Sequence, residues 1–165
     1  MERGGDMTYL SKNELDKFAY TDCIADKFKI SGNDILLELE ALIVKSSNSQ
    51  NSNYTDSYAG DAILKLSDAK LVKVLKEGYK FYDANDNLVE EVEDKEIDIT
   101  TKELEELLSK TFLINACLIE EETYSLEFEL PDTEPAAITD SYEVIVNAKE
   151  ATVSWDKYMN RVQGN

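Results

Sequence analysis

The sequence predicts a mainly β (α+β) protein: an antiparallel β-sandwich or curved sheet with one or two short helices. Three observations predict it. Apolar and polar residues alternate over many short segments, most cleanly in Tyr124-Ser125-Leu126-Glu127-Phe128-Glu129-Leu130, and a period of two puts every second side chain on a buried face. Turn-forming residues punctuate these segments at short intervals, which favours pairing between chain neighbours. Only two stretches carry helix-start signals.

Residues 1–6, Met1-Glu2-Arg3-Gly4-Gly5-Asp6, read as a disordered leader, with Met7 as an alternative start, and residues 7–165 as a single β-rich domain. A chain of 165 residues can bury roughly two thirds of its unfolded surface, enough for a proper core. Ser11-Lys12-Asn13-Glu14 fits a capping box and predicts a short helix from Lys12 to Phe18, with Leu15 and Phe18 on one face. A hairpin follows. Ile24, Phe28 and Ile30 alternate with Lys27 and Lys29, Ser31-Gly32-Asn33-Asp34 supplies the turn, and a return strand runs from Ile35 to Val44 with Ile35, Leu37, Leu39 and Ile43 on one side. The Ser/Asn-rich run from Lys45 to Asp56 offers little apolar area to bury and predicts a mobile loop; its Asn53-Tyr54-Thr55 sequon matters only in a secreted chain.

Strand patterns resume at Ala62–Leu66 and Leu71–Leu75, and Tyr79–Tyr82 and Leu88–Val92 flank a second hairpin turn, Asp83-Ala84-Asn85-Asp86-Asn87. Thr100-Thr101-Lys102-Glu103 caps a helix to Lys110 whose apolar stripe is Leu104, Leu107 and Leu108, with Glu105 and Glu106 facing water. A β-meander then takes Phe112–Leu118 and Tyr124–Leu130 around Glu120-Glu121-Glu122. After an acidic loop from Pro131 to Pro135, Tyr142–Val146 and Ala151–Trp155 form a last hairpin, and the tail from Asp156 to Asn165 frays. The sum is about nine strands and two helices.

The chemistry is bounded mostly by what is missing. The chain contains no histidine, which removes the commonest general base and metal ligand and every Ser-His or Cys-His pair. Cys23 and Cys117 form no C-x-x-C motif and read as buried thiols in a reducing compartment; spacing alone leaves a disulfide open. No signal peptide opens the chain and no apolar run approaches the roughly 18 residues of a membrane span, so a cytoplasmic location is expected. Asp83 to Asp94 partly matches a calcium loop, but Leu88 stands where glycine is needed, Asp94 stands at the last position, and the flanks are strands; a plain hairpin turn is the better reading. Ser67–Lys70 and Ser154–Lys157 match S-x-x-K without the helix that would bring serine and lysine together. Lys73, Lys76, Tyr79, Lys80 and Phe81 form a basic stripe interleaved with aromatics, read as one solvated strand face. No cofactor, metal site or catalytic set is expected.

Charge is the informative quantity. The chain carries a formal net charge of −18, and residues 86–134 hold 17 acids against Lys95, Lys102 and Lys110. Such a surface repels phosphate backbones and anionic lipid and attracts basic proteins. Glu90, Glu91, Glu93, Asp94, Glu96 and Asp98, with Glu103 and Glu106, are the expected partner-binding carboxylates. Tyr54 and Tyr58 border the Ser/Asn loop, where interface anchors would sit.

The stretch Leu15–Val44 combines a short helix, the Phe18-Ala19-Tyr20-Thr21-Asp22 step, the Ile24…Phe28…Ile30 spacing and a long return strand. It resembles the opening of small bacterial β-rich proteins, some of them placed among the immunity proteins of polymorphic-toxin systems. The resemblance implies a small, acidic, non-enzymatic toxin antagonist and assigns no functional residue. The leading expectation is therefore a binding protein that neutralises a basic bacterial toxin. The alternatives are a small-ligand or glycan-binding β-sandwich, using the loop tyrosines and Trp155 as stacking platforms, and a structural or assembly subunit.

Overall fold

The computed structural model describes residues 7–131 and 140–161. In chain order the elements are β1 (Tyr9–Lys12), a 3-10 turn (Leu15–Lys17), β2 (Phe18–Ala19), β3 (Ile24–Ser31), β4 (Asp34–Glu40), β5 (Ile43–Val44), β6 (Ser57–Ala59), β7 (Ala62–Ser67) and β8 (Lys70–Lys76). There follow β9 (Tyr79–Tyr82), β10 (Leu88–Val92), β11 (Lys95–Ile97), α1 (Thr101–Leu108), β12 (Thr111–Glu120), β13 (Thr123–Glu129), β14 (Ser141–Asn147), β15 (Glu150–Trp155) and β16 (Tyr158–Arg161). The fold is mainly β and every strand pair is antiparallel. One ten-stranded sheet runs β1-β15-β7-β4-β3-β12-β13-β14-β8-β11, a four-stranded sheet runs β16-β6-β5-β2, and β9 and β10 pair only with each other.

The large sheet is rolled, and its register shows how. Glu150 pairs with Ser67 in the β15–β7 ladder, and Asn147 pairs with Lys70 in the β14–β8 ladder. Both pairs keep one register, so residues 62–76 and 141–155 form two long strands that pair on either side of a shared bend. Asp68 takes a positive φ of 50° at that bend, and Ala148 is buried there. Each long strand thus serves both halves of the sheet, and the apolar faces of the two halves enclose one core. Phe28 of β3 and Phe128 of β13 meet edge to face, with ring centroids 5.7 Å apart; the core also holds Leu37, Leu64, Leu126, Val144 and Val153. The four-stranded sheet lies at one end, where Phe18, Tyr9 and Tyr158 surround Trp155.

The β3–β12 seam is short, pairing only Thr111 with Ala25 and Phe112 with Ile24. Beyond it α1 serves the β3 edge in place of a strand. Ser109 Oγ accepts from the Phe28 N–H at 3.1 Å, Glu105 Oε2 accepts from the Ile30 N–H at 2.8 Å, and the Lys110 N–H donates to Asp26 O. These donors would otherwise be left without partners at a partly buried edge.

Several expectations are corrected. No α-helix spans 12–18: Ser11 and Lys12 pair with Val153 and Thr152, Asn13 turns the chain at φ 56°, and Ser11 Oγ donates to Glu14 at 2.6 Å instead of capping a helix. The return strand stops at Glu40, because Ala41 adopts a φ of 60° and sends Ile43 and Val44 into the other sheet. The phase of β3 also shifts: a bulge between Ala25 and Lys27 buries Ala25 and Phe28 while Ile24 stays partly exposed. Residues 45–56 are bonded rather than loose. Asn48, 3% exposed, donates to Ser11 Oγ and Lys17 O, and Asn51 Nδ2 donates to Val44, Lys45 and Thr55 carbonyls. β14 and β15 form no hairpin, since they are one bent strand. The tail from Tyr158 to Arg161 pairs with β6 rather than fraying. The leader 1–6, most of the Pro131–Pro135 loop and residues 162–165 lie outside the described residues. Both cysteines are free thiols; Cys23 is buried, whereas Cys117 is only partly so.

Candidate functional site

The site grows from the far end of β8. The β8–β11 ladder ends with Lys76 opposite Lys95, and the β9–β10 ladder begins with Tyr79 opposite Val92. The register is the same, so β8-β9 and β10-β11 form one long hairpin interrupted at Glu77-Gly78 and Glu93-Asp94. At this point the neighbouring strand β14 ends: the Glu77 N–H donates to Ser141 O, the first residue of β14. Beyond Glu77 the hairpin runs on as an exposed two-stranded ribbon that joins no other sheet among the described residues.

Gly78 marks the base of the ribbon. A Cβ there would lie 1.9 Å from Val92 O, so no side chain fits, and the Gly78 N–H donates to Asp94 Oδ1 at 2.7 Å. At the tip, Asp83 Oδ1 accepts from the Asn85 and Asn87 N–H groups, and Asp86 takes a φ of 64°. These bonds hold the Asp83 carboxyl below its ordinary value. The expected hairpin turn is present, and Asp83 serves the turn itself. No group of three or more Cys, Asp or Glu side chains is placed to hold a metal ion among the described residues.

Pairing and the period of two assign the ribbon's faces. Tyr79, Phe81 and Val92 share one face, with the Tyr79 and Phe81 rings edge to face at 5.2 Å. Tyr82, Leu88 and the Lys80–Glu91 ion pair (3.8 Å) share the other. Val89 sits in a bulge between Leu88 and Glu90 and is 66% exposed. Phe81, Tyr82, Leu88 and Val92 are exposed as well. The expected basic stripe is therefore not one solvated face: it spans two strands and both faces of the ribbon.

The expected carboxylates are all exposed but do not form a single patch. Glu90 and Glu91 fall on opposite faces of the ribbon, and Glu91 is the only one of the eight in an ion pair with lysine among the described residues. Asp94 holds the ribbon base. Glu103 is committed to the α1 cap, accepting from the Thr100 N–H at 3.0 Å and from its hydroxyl at 2.9 Å; the backbone bond chiefly lowers its pKa. Glu106 is on exposed α1 surface, and Glu93 and Asp98 flank β11.

Glu96 shares a cross-strand row with carboxylates outside the expected eight. Register places Asn115, Glu127, Glu143, Leu75 and Glu96 in one row across five strands of the outer face, and Glu77 reaches the same cluster. Burial first, then a hydrogen bond with Glu127 and the charges of Glu127, Glu143 and Asp94, push the Glu77 carboxyl up to about 7. Glu143 accepts from Ser125 Oγ. The alternation of Glu127 and Glu143 with buried neighbours was readable, but their adjacency depends on the β13–β14 register, which one sequence does not state.

The stacking platforms fare differently from one another. Trp155 is 0% exposed and unreachable by a ligand. Tyr58 donates its hydroxyl to Asp22 Oδ2 at 2.9 Å, and Tyr54 stands almost fully exposed. Ser67 and Lys70 straddle the long-strand bend, and Ser154 lies in β15, so neither S-x-x-K pair has a helix beneath it.

No protein-family model, curated protein or solved structure matches this chain. No helix among the described residues is long and apolar enough to cross a membrane.

Proposed function

We propose that this chain is a non-enzymatic, acidic binding protein that engages a basic partner in the cytoplasm, most concretely as an immunity protein that neutralises a basic bacterial toxin. One observation carries the reading. The eight carboxylates Glu90, Glu91, Glu93, Asp94, Glu96, Asp98, Glu103 and Glu106 are exposed, and only Glu91 is matched by a lysine among the described residues. Unmatched surface charge of one sign steers an oppositely charged partner and disfavours like-charged ones. The ribbon and the edge strand β11 carry most of this charge: residues 77–98 contain nine acids against Lys80 and Lys95.

The test uses the product of the neighbouring reading frame in the native genome. Its association with this chain is expected to slow at least about tenfold between roughly 50 and 500 mM salt. A rate unaffected by salt, or a neighbouring product that is neither basic nor bound, overturns the reading.

A further inference from the structure

The ribbon combines three properties that are seldom found together. It is the two-stranded end of a longer hairpin with no further strand beside it among the described residues, an arrangement that adds little stability of its own in water. Its strands keep large apolar side chains in solvent, and clustered exposed apolar surface marks interaction sites. Its geometry is nevertheless well specified, by the Gly78 contact and the Gly78–Asp94 bond at the base and by the Asp83 bonds at the tip.

The apolar residues occupy both faces: Tyr79, Phe81 and Val92 on one, Tyr82 and Leu88 on the other, with Val89 at the bulge. A flat partner surface could cover only one of them. A cleft that receives the ribbon covers both. The surrounding charge decides the chemistry of that cleft: nine acids against two lysines over residues 77–98 demand Lys and Arg at its rim. A second copy of this chain, itself at −18, would bring like charges together, and an anionic membrane is repelled for the same reason.

We propose that β9–β10 is an insertion arm that enters an apolar cleft rimmed by basic residues on the partner protein. The inference rests on the proposed basic partner and adds the mode of engagement: carboxylates steer, and the two apolar faces anchor.

Two peptide probes separate the inference from the reading beneath it: an alternating lysine–leucine peptide of about 24 residues, long enough to fold back over both faces of the ribbon, and its lysine–serine counterpart, titrated by calorimetry at low and high salt. The lysine–leucine peptide is expected to bind more tightly. Phe81→Ser on one face and Leu88→Ser on the other should each weaken it at least about tenfold, the scale of an interface anchor. Should Phe81→Ser unfold the ribbon, seen as loss of amide protection at Gly78 and Val92, Tyr79→Ser and Val92→Ser report on that face instead. Weakening by only one face overturns insertion. Salt-sensitive binding of both peptides with no effect of any ribbon variant overturns the arm and leaves the electrostatic reading standing. Binding of neither peptide overturns both.

Discussion

Gly78 and Glu77 sit side by side and set the ribbon's base in different ways. With Val92 O only 1.9 Å from a would-be Cβ, Gly78→Ala forces the two backbones apart. We expect a loss of about 1–3 kcal/mol in chemical denaturation, with amide protection failing first across β9 and β10. The outcome is not shared by Gly32→Ala, where the added carbon meets open space and only the positive φ is penalised. Glu77 predicts a pH effect. The folded chain keeps its proton up to about 7, whereas the ordinary glutamate value is 4.5. The fold therefore binds this proton more tightly than the unfolded chain does, and the associated stability is complete below 4.5 and lost as pH rises through 7. Carbon-13 NMR of the carboxyl should show a midpoint near neutrality, and Glu127→Gln should lower it by removing the nearest negative charge. A midpoint unchanged in that variant would show that burial, without Glu127, accounts for the shift. Residue types announced much at this scale, including the turn at Asp83–Asn87. Single torsions they did not announce: Asn13, Ala41 and Asp68 all take positive φ, and each reroutes the chain without a glycine to mark the place.

In α1 the cap and the apolar stripe follow their sequence signals, although the helix ends at Leu108 rather than Lys110. Thr100 and Glu103 form both arms of the capping box, and Leu104 and Leu108 are buried. Thr100→Ala should cost about 1 kcal/mol, measured by urea denaturation. Ser109→Ala should cost a similar amount for a different reason, because it strands the Phe28 N–H at a part-buried edge. A double variant whose loss equals the sum of the two within about 0.5 kcal/mol would show that cap and edge act independently. Glu105 was expected to face water, yet it accepts from Ile30 of β3. Helical periodicity identifies the apolar stripe of a helix; it does not reveal that a polar residue beside the stripe meets an unpaired strand. Strand pairing was hidden in a similar way. The link at 148–149 looks like a hairpin turn, but it and the link at 68–69 each continue a strand around a bend.

At the scale of the molecule, antiparallel β architecture was readable because alternation is a local signal, while strand order was not, because it depends on contacts between distant segments. The acidic surface was readable as a total but not as a distribution: register divides it between the ribbon, the cap of α1 and the outer row Glu127–Glu143–Glu96. A net charge of −18 also opposes compaction. The melting temperature at pH 7 should therefore rise with sodium chloride up to roughly 0.5 M as the charges are screened. A melting temperature that falls over this range would mean that surface ion pairs, five of them among the described residues, outweigh the self-repulsion.

The paired long strands have a further consequence for biogenesis. Among the described residues β1 finds its ladder only on β15, and β7 has β15 on one side, so residues 9–12 wait for residues around 150–155 to leave the ribosome. Until then the nascent polypeptide presents open edges and an unclosed apolar interior, and closure of the roll is a late, long-range step of the kind that makes β-rich chains slow to mature. Ribosomes halted before codon 150 should thus hold a protease-sensitive intermediate, and release of the last few strands should convert it to the resistant form.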